Sequence, residues 1–99
     1  MTAYVAAQFT IHDQERYLRY ARAFAATMEG YDGELLAADV APERLEGEWP
    51  HRKFVLIRFR DAEEARRWAT SPAYQEISKD RVAATVGTTL LVRGLDAAA

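Results

Sequence analysis

Along residues 3–11 the chain alternates. Val5, Ala7, Phe9 and Ile11 fall on one side of an extended backbone, and Tyr4, Ala6, Gln8 and Thr10 on the other. A strand is predicted from Ala3 to Ile11. At Asp13 the period changes. Tyr17, Tyr20, Ala21, Phe24 and Met28 recur three and four apart, the spacing of one helix face. The Asp13 carboxylate can accept the free amide hydrogens of a first turn, so a helix is predicted from Gln14 to Glu29, ended by Gly30. Gly33 is expected to close the following turn. A short strand over Glu34 to Val40 rests on Leu35, Leu36 and Val40, and a polar connection with Pro42, Gly47 and Pro50 follows. Lys53 to Phe59 is apolar almost throughout, which predicts a strand covered on both faces.

The second half repeats the alternation of periods. Asp61 is placed to cap a helix, with Glu64 three residues on, as in a capping box. Ala62, Ala65, Trp68 and Ala69 supply its buried side. Ser71-Pro72 predicts a fresh start for a short helix, because Ser caps well and Pro is preferred at the first helical position. Thr85 to Arg93 reads as the last strand, with Val86, Leu90 and Val92 on one side. Residues 1–95 form a single domain on this reading, and 96–99 a frayed tail.

The predicted order is β-α-β-β-α-β. That is the split βαβ, or ferredoxin-like, arrangement of the α+β class: a four-stranded antiparallel sheet with helices on one face. The opposite face then poses a problem. Residues 53–59 and 85–93 carry apolar side chains in both alternating sets. A chain of 99 residues buries only about 60–68% of its unfolded surface, and a bare apolar sheet face drives association. A homodimer is therefore expected, with two sheets packed face to face.

Composition narrows the function. There is no cysteine, so disulfides and thiol nucleophiles are excluded. A net charge of −2 argues against nucleic-acid binding, which relies on Lys and Arg to neutralise phosphates. No apolar run approaches the roughly 20 residues that span a bilayer, and Met1 to Tyr4 lack the flank of a signal peptide. A cytoplasmic protein with no membrane partner is expected. Gly-rich phosphate loops, nucleophile elbows and paired catalytic carboxylates are absent, so no cofactor is implied. His12 and His51 match no metal-ligand spacing, so no metal site is expected either.

One stretch gathers chemistry. Tyr74, Ser78 and Arg81 are spaced four and three apart, which places them on one helix face. Arg81 can clamp a carboxylate or enolate with its planar fork of donors; equally, its stem can lie over the sheet. Tyr74 can orient a ring or pack beside Ile77. Ser71 offers a hydroxyl or simply caps the helix. His51 titrates near neutrality and is a candidate base, with Arg52 beside it as a ligand contact; the alternative is a solvated loop. Tyr17, Tyr20 and Phe24 have core spacing, and Tyr20 is the one with a candidate pocket role. Arg16, Arg19 and Arg22 read as a solvated face, Trp68 as core, and Trp49 as an interface residue.

Three segments carry a resemblance. They are Tyr17-Leu18-Arg19-Tyr20 on an Asp-led helix, Glu46-Gly47-Glu48-Trp49-Pro50-His51-Arg52 leading into the central strand, and Trp68-Ala69-Thr70-Ser71-Pro72-Ala73-Tyr74-Gln75 followed by Arg81-Val82-Ala83-Ala84. In this order they resemble the DUF1330 family of small dimeric α/β-barrel proteins, over nearly the whole chain. The resemblance implies the dimeric barrel but no settled activity. The wider superfamily holds cofactor-free monooxygenases, lactone isomerases, haem proteins and proteins without known catalysis, and fold kinship names no reaction. Two functions follow as expectations. One is a cofactor-independent enzyme acting on a small organic acid or aromatic molecule, with Arg81, Tyr74 and His51 as catalytic candidates and Tyr20, Arg52, Ser71 and Ser78 as ligand contacts. The other is a non-catalytic dimeric binding or structural module with a closed core.

Overall fold

The computed structural model describes residues 1–95; the expected frayed tail at 96–99 lies outside them. The elements are β1 (Ala3–Ile11), α1 (Gln14–Thr27), β2 (Gly33–Asp39), β3 (Lys53–Phe59), α2 (Ala62–Ala69), α3 (Pro72–Ala84) and β4 (Thr85–Arg93). The strands form one four-stranded sheet in the order β2-β3-β1-β4, with every pair antiparallel. This is the ferredoxin-like α+β arrangement that the pattern of periods predicts.

Register fixes the two faces. Ala7 stands opposite Val55 and Thr89, and Phe9 opposite Lys53 and Gly87. This set faces the helices, and the core of Phe9, Ile57, Phe59, Trp68, Tyr17, Tyr20 and Tyr74 builds on it. The alternate set, with Ala6 between Leu56 and Leu90 and Tyr4 between Arg58 and Val92, looks the other way. No helix covers it. The molecule is correspondingly flat, 39 × 37 × 16 Å. β3 is thus covered by helices on one face rather than by elements of its own chain on both. No helix among the described residues is long and apolar enough to cross a membrane.

Two glycines permit close approaches. A Cβ on Gly87 would collide with the Gln8 carbonyl and with Phe9, so only glycine lets β4 pair flush against the core side of β1. Gly33 opens β2 rather than closing a turn: a Cβ there would meet the Phe59 ring at 2.7 Å.

The helix starts follow the expected capping with one change. Asp13 accepts from the Arg16 amide at 3.1 Å, and Asp61 from the Glu64 amide at 2.7 Å. Glu64, however, does not reach back to Asp61 as a capping box would. Its carboxylate is buried, accepts the Asp32 amide at 2.8 Å and the Arg67 Nε at 2.9 Å, and so ties the α1–β2 loop to α2. The helix after Ser71-Pro72 is not short: α3 has 13 residues against 8 in α2. Arg16 and Arg19 are not merely solvated. Both reach Asp80 of α3, at 3.0 and 3.8 Å, and lash α1 to α3.

Candidate functional site

The sheet supplies a floor and two helices supply walls. α1 presents Tyr17, Tyr20 and Phe24 from successive turns. α3 presents Tyr74 and Arg81. Between them and Val5, Ala7, Val55 and Ile57 of the sheet lies a cavity of about 200 Å³. An enclosed apolar cavity of about 150 Å³ accommodates benzene, so this volume suits a ligand of about one ring. The wall is largely aromatic. Tyr20 meets Phe24 at 5.9 Å between ring centroids and Tyr74 edge-on at 6.1 Å, while Trp68 packs on Tyr74 at 4.0 Å.

The polar groups of this wall are few and specific. The Tyr20 and Tyr74 hydroxyls share a buried hydrogen bond of 2.9 Å. Burial above all, and then the neighbouring Tyr74 hydroxyl, pushes the Tyr20 pKa far above the ordinary tyrosine value, although Arg81 pulls it down. Tyr20 is therefore a neutral donor or acceptor near pH 7 and not a base. Two hydroxyls carry two hydrogens, and their mutual bond uses one. The other can be donated to a guest.

Arg81 lines the same cavity, with its guanidinium carbon 6.0 Å from the centre of the Tyr20 ring. Its Nε is buried with no hydrogen-bond partner among the described residues. That sets it apart. Arg16 and Arg58, the other arginines not fully exposed, pair with Asp80 and with Asp32 and Glu34. A buried donor without an acceptor is costly, and an anion in the cavity would remove that cost. Arg81 also borders a second cavity of about 310 Å³, toward β4, together with Ser78, Gln75, Arg66 and Thr89.

The sequence candidates divide by place. Tyr20, Tyr74 and Arg81 converge on the first cavity. Ser78 borders the second, with its hydroxyl donated to the Gln75 carbonyl at 2.9 Å. The Ser71 hydroxyl donates to the Trp68 carbonyl at 2.7 Å and accepts the Tyr74 amide at 3.3 Å, so it caps α3. His51 lies elsewhere, edge-on to Trp49 with centroids 6.4 Å apart. Trp49 in turn donates to Gln8 Oε1 at 2.6 Å, on the face of β1 turned away from the helices. Arg52 is exposed, and its amide donates to the Phe9 carbonyl at 3.3 Å. Neither His51 nor Arg52 lines the first cavity.

Two lining residues escape the spacing argument. Tyr17 carries the Lys53 ammonium over its ring at 4.7 Å, and both line the cavity. The signal for Lys53 was its parity: it shares the alternating set of Val55, Ile57 and Phe59. Among the described residues no group of three or more His, Asp or Glu side chains gathers as a metal site would require.

The fold recurs in solved structures. A protein of unknown function from Rhodopseudomonas palustris is similar over 96% of this chain and 83% of its own, with a TM-score of 0.79 at 15% identity. SnoaB from Streptomyces nogalater, a cofactor-independent oxygenase, is similar over 94% and 92%, with a TM-score of 0.64 at 20% identity. A dimeric protein of unknown function and ferredoxin-like fold from Bacteroides fragilis is similar over 94% and 96%, with a TM-score of 0.58 at 13% identity. At these identities the likeness is one of fold. No curated protein matches the chain. The family described as a domain of unknown function, DUF1330, matches residues 2–95, and the chain belongs to it.

Proposed function

We propose that this chain is a cofactor-independent enzyme, dimeric through the open faces of its sheets, that takes a small organic anion with an aromatic or otherwise apolar body into the cavity between sheet and helices. The observation that carries this reading is Arg81: a half-buried guanidinium with an unpartnered Nε, beside an apolar cavity and the Tyr20–Tyr74 hydroxyl pair. A carboxylate, enolate or phenolate accepts a charge-assisted hydrogen bond from such a fork. The free tyrosine O–H adds a second donor to the same anion. Low local polarity strengthens both.

The dimer belongs to the reading for a physical reason. Val86, Leu90 and Val92 are 65%, 47% and 43% exposed, all on the face away from the helices, where Leu56 and Ala6 join them across the strands. Trp49, held against Gln8, would flank that interface. A neighbour of ferredoxin-like fold that is itself dimeric supports a dimer. The lack of cysteine fits a reducing, cytoplasmic setting.

A second reading, a binding module without turnover, has one observation in its favour. The cavity wall carries no Asp, Glu or His among the described residues. A substrate must then arrive already anionic or lose its proton readily. The experiment is a thermal-shift screen of benzoate, salicylate and related organic acids, with Arg81→Ala alongside. Stabilisation of the wild type that vanishes in Arg81→Ala, with the dimer intact, is the expected result. Unchanged melting across the panel would overturn the reading. Binding without any loss of the ligand on prolonged incubation would leave only the module.

A further inference from the structure

We propose that Lys53 is a second anion anchor of this cavity, so that the preferred ligand is a dianion: an apolar, ring-sized body with a negative group at each end. The inference rests on the reading of Arg81 above and names the ligand class for that site.

Lys53 stands in the helix-facing register of β3, opposite Phe9 of β1, and Phe9 is 3% exposed. Lys53 is itself half-buried, the one charged side chain in a register otherwise filled on β3 by Val55, Ile57 and Phe59. No carboxylate among the described residues pairs with it. Its ammonium lies 4.7 Å from the centre of the Tyr17 ring, a favourable contact that supplies no negative charge. Arg81 repeats the pattern over Tyr20 at 6.0 Å, again without a carboxylate. Tyr17 and Tyr20 are neighbours on α1, with ring centroids 5.7 Å apart. Two cations without a carboxylate partner among the described residues thus line the cavity, each beside its own tyrosine. A guest with one negative group leaves one cation uncompensated. A guest with two neutralises both.

Calorimetry on the full chain tests this with matched probes. Benzoate and phenylacetate carry one carboxylate; terephthalate and 1,4-phenylenediacetate carry two on the same bodies at different spans. At least one diacid is expected to bind about tenfold more tightly than its monoacid, the scale of one added charge-assisted hydrogen bond. Lys53→Met, which keeps the apolar stem, is expected to bring the pair within about twofold without weakening the monoacid. Lys53→Arg is expected to retain the preference, and it reports even if the methionine variant folds poorly. Equal affinity of wild type for mono- and diacid overturns the proposal, as does an equal loss for both probes in Lys53→Met, the mark of a packing role. If the monoacids bind through Arg81 and the diacids gain nothing, this inference alone falls. If none of the four binds, it falls together with the reading beneath it.

Discussion

The hydroxyls of Tyr20 and Tyr74, 54 positions apart in the chain, meet at 2.9 Å in a buried hydrogen bond. The bond joins α1 to α3 at the wall of the cavity. The Arg16–Asp80 pair at 3.0 Å clamps the same two helices nearer solvent. Position of the tyrosine pair and separation of the helices are therefore one structural variable.

Removing either hydroxyl alone is expected to cost more than removing both. Tyr20→Phe or Tyr74→Phe strands a buried partner, at about 1–3 kcal/mol each. The double variant leaves no orphan, so its cost is expected to fall short of the additive sum by more than one single cost, about 1–3 kcal/mol. Urea unfolding of the four proteins measures it. Strict additivity would mean that the two hydroxyls do not depend on each other.

Glu64 sets an acid limit on stability. Its carboxyl is held below the ordinary value, first by the Asp32 amide and then by Arg67. Asp61 is lowered as well, first by the Glu64 amide. A group with a depressed folded pKa stabilises the fold above its unfolded pKa, about 4.3 for Glu, and that contribution is lost as pH falls through the folded value. Melting temperature is expected to drop below about pH 4. In Glu64→Gln it should start lower and fall less steeply. Parallel pH profiles for the two proteins would contradict this.

Leu90 lies at the centre of the open face, across Ala6 from Leu56. Leu90→Glu places a charge in the proposed interface, and sedimentation is expected to show a monomer at micromolar concentration. Folding of the single chain should persist, with a lower melting temperature that no longer rises with concentration. A variant that sediments as the wild type does would remove the sheet-face dimer.

Gly87→Ala inserts a methyl where the Gln8 carbonyl and Phe9 already stand. The expected loss is about 1–3 kcal/mol, the range for overpacking a tight site. Denaturant titration reads it, and no loss would mean that β4 can lift away from β1 freely.

Much of this molecule is written in local periods. The bounds of β1, β3 and β4 match the alternation, and α1 starts where Asp13 caps it. The misses share a cause. β2 begins at Gly33 because Phe59 needs a neighbour without a side chain, and nothing local states that. α3 runs longer than its apolar pattern suggests because its buried positions are Tyr74, Ser78 and Ala84, none of them aliphatic beyond a methyl. Glu64 serves a loop 32 residues away instead of its own cap. Spacing brought Tyr74 and Arg81 to one helix face, and the tertiary fold added Tyr20 and Lys53. It also set His51 beside Trp49 and outside the lining of the first cavity, a separation that no one-dimensional pattern carries.

The break at Ser71-Pro72 sets the phase of one cavity wall. Each residue advances a helix by about 100°, and α3 is phased from its Ser71 cap. One residue inserted or deleted between Ser71 and Tyr74 would turn Tyr74 and Arg81 together by that angle relative to the cap, off the wall, while leaving the strands paired. A variant that keeps the spacing of this corner would keep Tyr74 and Arg81 on the wall as a unit; one that changes it would keep the scaffold and lose both from the wall.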